Sequence, residues 1–200
     1  MADVRVYFFL FSLFAWRTSI CQTSYHDSLQ AFITSYVSHH ELVKGDDRKY
    51  LRFFPIDEAY RVRADFKKAS EAKWFLVQTS GLQKKLYRVF GTVSFSVHDT
   101  IITASIYQSK DLLDDPKYAN YLVLMFTDKT TGNETYDGGR YIDLSTNDIK
   151  DQFVTIDFNK AYNPYCAYVR NKYNCPIPPR ENDFPVAIRA GEKLYTKKTD

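Results

Sequence analysis

Apolar and polar residues alternate along much of the chain, in short segments separated by turn-forming residues. In the segment 60–67, every second residue is apolar and the residues between them are charged. This period of two predicts a strand with one buried face. Similar patterns predict further strands at 73–79, 86–97, 102–106, 121–126, 141–144 and 153–158.

Three of these segments carry more specific signals. Segments 86–97 and 102–106 flank a short turn at 98–100, which predicts a β-hairpin. Gly91 lies inside the first of them and marks a bulge or a bend. Segment 121–126 is apolar on both faces, which is typical of a central strand or of a strand covered by a helix, here the N-terminal helix predicted below. We expect the segment 184–195 to add one more short strand.

One segment has a helical period instead. Between Tyr25 and Val37 the apolar residues recur at spacings of three and four, which predicts an amphipathic helix from Ser24 to about residue 43. Ser24 followed by Asp27 is a typical N-terminal cap, and Gly45 ends the segment. His39 and His40 are adjacent, so a helix would separate their side chains by about 100° and could not present both to one metal. We expect both histidines to be surface residues.

Helices are few, strands are many, and tight turns join them. This predicts a mainly β fold, an antiparallel β-barrel or sandwich with one N-terminal amphipathic helix packed on it. The length fits residues 22–45 as the helix and residues 46–200 as a single β domain. A long loop rich in Pro, Asn and Tyr occupies residues 157–182 and is called the C-terminal loop below. Five of the seven prolines lie between Pro164 and Pro185.

The composition narrows the class of partner. The net charge is only +3 and acidic and basic residues are interspersed, so no dense basic face is available for nucleic acid. No motif indicates a cofactor. The oligomeric state is left open by the sequence.

The first residues resemble a targeting signal. Arg5 precedes an apolar run at 6–16, about half the ~20 residues that a membrane-spanning helix needs. We therefore interpret residues 1–21 as a signal peptide cleaved after Cys21, which leaves no stable membrane span in the mature chain. A buried N-terminal strand or helix is the alternative. Lipid anchoring at Cys21 is disfavoured because Ile20 stands where Gly or Ala is usual.

Cleavage would leave Cys166 and Cys175 as the only cysteines of an exported protein. An even pair in an oxidising compartment, periplasm or cell envelope, favours a disulfide, which would add about 2–3 kcal/mol of stability. The alternative is a metal site. Two thiolates without a nearby histidine cannot complete tetrahedral zinc, and no histidine follows His98, so we predict no metal.

Candidate binding residues follow the double glycine at 138–139. Arg140 suits bidentate recognition of a carboxylate or phosphate, and Tyr141 and Asp143 lie on the same predicted strand. The alternative is that Arg140 forms a structural ion pair with Asp143 or Asp157.

Further candidates lie in the C-terminal loop and carry carboxylate, amide or phenol groups that could bind a sugar or another polar ligand. They are Asp157, Asn159, Tyr162, Asn163, Glu181 and Asn182. The alternative is that these side chains hydrogen-bond loop backbone that lacks a sheet partner.

Four sets of residues carry a family resemblance: 139–144, 157–164, Cys175–Pro176 with 178–182, and 190–193. With these motifs the chain resembles the family known as domain of unknown function 1684, over roughly residues 27–195. The apolar N-terminus and the aromatic content look like exported members from Bacteroidetes-type bacteria. The resemblance implies one complete domain and carries no assigned activity.

Three functional hypotheses follow. The first is a non-catalytic envelope protein that binds a small polar ligand or a partner, in a pocket between the strand at 139–143 and the C-terminal loop. The second is a hydrolase in which Asp157 or Glu181 acts as acid or base, although G-x-S-x-G and H-E-x-x-H motifs are absent. The third gives the C-terminal loop a purely structural role.

Overall fold

The structure is a computed structural model that describes residues 24–197. The predicted signal peptide, with Cys21, lies outside the described residues. The first element is helix α1, Tyr25–His39, and Ser24 caps it as predicted, because its Oγ accepts the Asp27 N–H at 3.1 Å. A second, shorter helix is α2, Lys110–Leu113.

Seven antiparallel strands form one sheet. They are β1 Arg61–Lys68, β2 Phe75–Val77, β3 Lys85–Val97, β4 Thr100–Ser109, β5 Tyr121–Phe126, β6 Arg140–Ser145 and β7 Phe153–Asp157. The strand order is β6-β5-β4-β3-β1-β7, with β2 paired to β3. The mainly β antiparallel fold is therefore confirmed, and it takes the form of a single curled sheet, a half-barrel, with α1 as its N-terminal helix.

Strands β3 and β4 form the predicted hairpin, with Val97 opposite Thr100. The register shifts between Val89 and Gly91, which confirms the irregularity expected at this glycine. A side chain at position 91 would meet the Phe66 ring on β1. The long strand can therefore bend there and still pack closely against its neighbour.

The sheet buries side chains on both faces in its central part. On β5, Leu122, Leu124 and Phe126 belong to the large core inside the curl. Val123 and Met125 belong to a second cluster on the opposite face, together with Tyr141 of β6. This explains the doubly apolar pattern of the segment, because β5 is a central strand with a packed cluster on each face.

Two predictions about the chain near its ends are wrong. The helix ends at His39 and not near residue 43, because the Nδ1 atom of His40 accepts the N–H groups of Leu42 and Val43 and turns the chain. His40 is consequently buried and not a surface residue; its ring packs edge-on against Tyr168 at 4.5 Å.

The segment 184–195 forms no regular strand. It follows an irregular path held by single contacts, among them a bridge between Phe53 and Glu192. Its backbone donors find loop partners and not a strand edge, as in the bond from the Glu192 N–H to the Ala161 carbonyl at 2.8 Å. The segment therefore fastens the C-terminal loop to the body of the protein.

Candidate functional site

A cavity of about 630 Å³ lies between β6 and the C-terminal loop, and we call it the strand–loop cavity. Its walls come from the end of α1 and from the facing side chains of β5 and β6. Lys85 of β3 and two parts of the C-terminal loop, residues 162–165 and 173–176, complete the walls. A volume of this size is within the range of about 300–1,000 Å³ that small-molecule sites occupy.

The alternation of side chains along β6 decides which residues reach the cavity. Tyr141 and Asp143 are two positions apart, point to the same face, and line it. Arg140 and Ile142 point to the other face, where Ile142 joins the large core. Arg140 was predicted to act with Tyr141 and Asp143, but the pleat of the strand separates it from them.

Asp143 is held by two tyrosines at the cavity wall. The hydroxyl of Tyr162 donates to Asp143 Oδ1 at 2.6 Å, and that of Tyr121 donates to the same oxygen at 2.8 Å. Burial raises the pKa of the Tyr121 hydroxyl well above its ordinary value, and the neighbouring carboxylate adds to this effect. The hydroxyls of Tyr121 and Tyr162 therefore keep their protons and stay hydrogen-bond donors to the Asp143 carboxylate.

A second carboxylate lies at the rim, on the segment that follows α1. The hydroxyl of Tyr165 donates to Oε2 of Glu41, and this bond raises the pKa of the Tyr165 hydroxyl to about 12. The Tyr165 ring in turn packs against Tyr173 with 5.2 Å between ring centres. The bond thus joins the helical wall to the C-terminal loop across the mouth of the cavity.

Behind the wall lies a fully buried carboxylate, Glu192. It accepts the Tyr168 hydroxyl at 2.7 Å, the Tyr36 hydroxyl at 3.1 Å and the N–H of Asn163 at 2.9 Å. Burial raises the pKa of the Glu192 carboxyl from 4.5 to about 7. Tyr36 and Asn163 also line the cavity, so this buried network positions two elements of its wall.

The predicted disulfide joins Cys166 to Cys175, with Cα atoms 6.2 Å apart. It closes the part of the C-terminal loop that carries Tyr173 and Asn174, both of which line the cavity. Cys166 is further tied to the 175 side by its N–H, which points at Cys175 Sγ. The crosslink therefore restrains one wall of the site.

Of the nine predicted binding residues, four line the cavity: Tyr141, Asp143, Tyr162 and Asn163. The structure places Arg140 elsewhere, with 1% of its side chain exposed and its guanidinium paired to Asp128 at 2.7 Å. It also donates to the Ile188 carbonyl at 2.8 Å. The structural alternative named Asp143 or Asp157 as its partner, and that choice of partner is wrong.

Asp157 and Asn159 lie together at the end of β7, away from the cavity walls. Asp157 Oδ1 accepts the Asn159 N–H at 3.1 Å and the Tyr25 hydroxyl at 3.0 Å. The Asn159 side chain bonds both backbone groups of Asp57, at 3.0 and 2.8 Å. Both side chains thus cap backbone and anchor α1.

Asn182 and Glu181 also have structural partners. The Asn182 amide bonds the N–H and the carbonyl of Ser105 on β4 and the carbonyl of Met125 on β5. Glu181 accepts the hydroxyl of Tyr107 on β4 at 2.8 Å. Neither Asp157, at the end of β7, nor Glu181 lines the cavity, so neither carboxylate of the hydrolase hypothesis is placed to act there.

The walls contributed by α1 and β5 were not predicted from the sequence. Phe32, Ser35 and Tyr36 line the cavity from the helix, and Tyr121 lines it from β5. The helical period placed Phe32 and Tyr36 on one apolar face, and this shared face was the signal from which their common location could have been inferred. The position of that face over β6 depends on long-range packing that no local pattern encodes.

Within residues 24–197, no group of three or more His, Cys, Asp or Glu side chains is arranged to hold a metal ion. In the same range, no helix has the length and apolar character needed to cross a bilayer.

Comparison with known proteins identifies the family and no activity. The fold is similar to that of an uncharacterized protein of Haloarcula marismortui solved by NMR, with a TM-score of 0.64 and 29% identity, over 86% of this chain and 95% of that chain. No curated protein matches. The model of the family described as "Protein of unknown function (DUF1684)" matches residues 47–193, so the chain belongs to that family.

Proposed function

We propose that this protein is exported and binds a small polar ligand in the strand–loop cavity without transforming it chemically. The observation that carries the proposal is the cavity itself, an aromatic pocket of about 630 Å³ at the junction of β6 and the C-terminal loop. Aromatic walls with a few fixed polar groups are typical of small-molecule sites. The fixed polar groups here include Asp143 and Asn163.

The restraints on the walls support binding. The disulfide fixes one wall, the Tyr165–Glu41 bond closes one side of the mouth, and two tyrosines orient Asp143. A site whose side chains are held before the ligand arrives loses less conformational entropy on binding.

Export is supported by the disulfide, because such bonds persist in oxidising compartments such as the periplasm or the cell envelope. On this proposal, residues 1–21 are the signal peptide that directs the export. On this proposal, the mature chain consists of the helical segment 22–45 packed on a single β domain, 46–200.

A cavity-filling variant tests the proposal. Ser35 lines the cavity from α1, whereas Ser38, on the same helix and also exposed, does not. We expect compounds from a metabolite and glycan library to raise the melting temperature of the wild type and of Ser38→Trp, but not of Ser35→Trp. Hits that stabilise Ser35→Trp equally, or a library without hits, would contradict the proposal.

A further inference from the structure

Five of the six tyrosine hydroxyls around the strand–loop cavity, all except that of Tyr173, donate hydrogen bonds to protein acceptors. Those of Tyr121 and Tyr162 donate to Asp143, and that of Tyr165 donates to Glu41. The Tyr141 hydroxyl donates to the Pro176 carbonyl, and the Tyr36 hydroxyl donates to Glu192. Each of these oxygens can still accept a hydrogen bond from a ligand, but none can donate one without breaking an internal bond.

Asn163 adds an acceptor that has no partner. Its side chain is 1% exposed, and its Nδ2 donates to the Lys193 carbonyl at 2.9 Å. Its Oδ1 is buried and, within the described part of the chain, receives no hydrogen bond. An acceptor left in this state costs free energy until a donor reaches it. Asn163 is part of the cavity wall, but this oxygen has almost no accessible surface, so a ligand N–H group reaches it only if the wall shifts.

The charges on the walls favour the same kind of ligand. Two carboxylates, Asp143 and Glu41, line the cavity, against one lysine, Lys85. Burial lowers the pKa of His40, which keeps this imidazole neutral near pH 7. The lining residues therefore carry more carboxylates than ammonium groups, together with several hydrogen-bond acceptors.

Aromatic rings at the rim already attract ammonium groups of the protein itself. Lys160 Nζ lies 5.5 Å from the centre of the Phe32 ring, and Lys172 Nζ lies 5.5 Å from the centre of the Tyr173 ring. Both rings line the cavity, and neither lysine does. These rings thus attract cations through the aromatic quadrupole, and the two lysines already occupy one position on each ring.

We propose that the ligand of the strand–loop cavity is an organic cation, a primary ammonium group carried on a small apolar or aromatic body. This inference rests on the proposed function and specifies its ligand class. The ammonium group lies at Asp143 and donates hydrogen bonds to the carboxylate, and the body of the ligand packs against the tyrosines. A neutral sugar fits less well, because its oxygens also need donors from the walls.

Three aromatic probes of similar size test the assignment: benzylamine, benzyl alcohol and benzoate, which are cationic, neutral and anionic near neutral pH. By titration calorimetry we expect benzylamine to bind the full chain at least about tenfold more tightly than benzyl alcohol, and benzoate to bind most weakly. Equal binding of the amine and the alcohol, or tighter binding of benzoate, would overturn the charge assignment and leave the proposed function standing. Absence of binding by all three at millimolar concentration would contradict both.

Variants separate the contribution of the carboxylates. Asp143→Asn and Glu41→Gln keep the size of each side chain and remove its charge, and Asp99→Asn, at the exposed tip of the β3–β4 hairpin, is the matched control. We expect Asp143→Asn to weaken benzylamine binding about tenfold and to leave benzyl alcohol unchanged. Glu41 is exposed, so its variant keeps the test open if Asp143→Asn does not fold. Unchanged amine affinity in both variants would refute the inference.

Discussion

Nη2 of Arg140 lies 2.7 Å from Oδ2 of Asp128, and both side chains are almost completely withdrawn from solvent. Asp128 also receives the N–H of Thr130, and Arg140 donates to the carbonyls of Ile188 and Ala190. The pair thus ties β6 to the turn that follows β5 and to the C-terminal segment. It is a structural bond on the core side of β6, opposite the cavity.

Removal of one partner of the Arg140–Asp128 pair should lower the free energy of unfolding. We expect Arg140→Met to destabilise the protein by about 3–5 kcal/mol, because Asp128 is left charged and buried without its counter-ion. Arg180→Met, at an exposed arginine, should change the free energy of unfolding by less than about 0.5 kcal/mol. Urea titrations of both variants measure the difference. A loss below about 1 kcal/mol for Arg140→Met would show that the pair is not a structural anchor.

Glu192 should make stability depend on pH. Its carboxyl ionises near 4.5 in the unfolded chain and near 7 in the folded protein. Between these pH values the folded protein holds a proton that the unfolded chain releases. The stability that Glu192 contributes is therefore greatest below pH 4.5 and is lost as the pH rises through 7. The loss amounts to up to about 3 kcal/mol from this group.

Glu192→Gln should flatten that slope, since a neutral amide stays neutral at every pH and can still accept the Tyr168 hydroxyl. The exposed Glu181→Gln serves as the control and should keep the wild-type slope. The measurement is the free energy of unfolding in urea from pH 4 to 8. A wild-type slope in Glu192→Gln would mean that another group is responsible.

Gly191 should tolerate no side chain. Its φ is +77°, and a Cβ would lie 2.6 Å from the carbonyl oxygens of both Phe158 and Ala161. We expect Gly191→Ala to cost about 3 kcal/mol or more, from backbone strain and overlap together. Gly45 has a φ of +55° but nothing within 4 Å of its Cβ position, so Gly45→Ala should cost only about 1–2 kcal/mol. Equal costs in thermal unfolding would show that overlap at Gly191 is relieved.

The disulfide should matter for both stability and binding. Replacement of Cys166 and Cys175 by Ser should cost about 2–3 kcal/mol, because the unfolded chain loses its closed loop. The wall that carries Tyr173 and Asn174 would also be freed, and affinity for a cavity ligand should fall. Reductant should reproduce both effects in the wild type and change nothing in the double variant. A wild type insensitive to reductant would contradict this role.

Local patterns were sufficient to predict the seven strands, the hairpin, the irregularity at Gly91 and the helix cap, because each depends on neighbours in sequence. The same patterns also predicted a strand at 184–195 that does not form. The pleat of β6 could also have separated Arg140 from Asp143, since residues three apart on a strand point to opposite faces. The partner of Arg140 could not be predicted, because Asp128 reaches it only through the pairing of β5 with β6.

The location of the candidate site could be predicted from the sequence, but the full set of residues that line it could not. Tyr141, Asp143, Tyr162 and Asn163 lie where strand and loop were expected to meet. The side chains at 157, 159, 181 and 182 are of the same types as binding residues, yet those at 157, 159 and 182 bond backbone groups and Glu181 accepts the Tyr107 hydroxyl. Residue type alone does not distinguish a side chain that caps a loop from one that faces a ligand.

The most direct test of the account is a titration of the isotopically labelled full chain with benzylamine, followed by NMR. We predict that the amide signals of Asp143, Asn163 and Asn174, from both walls of the strand–loop cavity, shift together along one saturable curve, and that Ser35→Trp abolishes the shifts. Shifts that cluster elsewhere on the protein, or that survive in Ser35→Trp, would contradict the central claim that this cavity is a binding site.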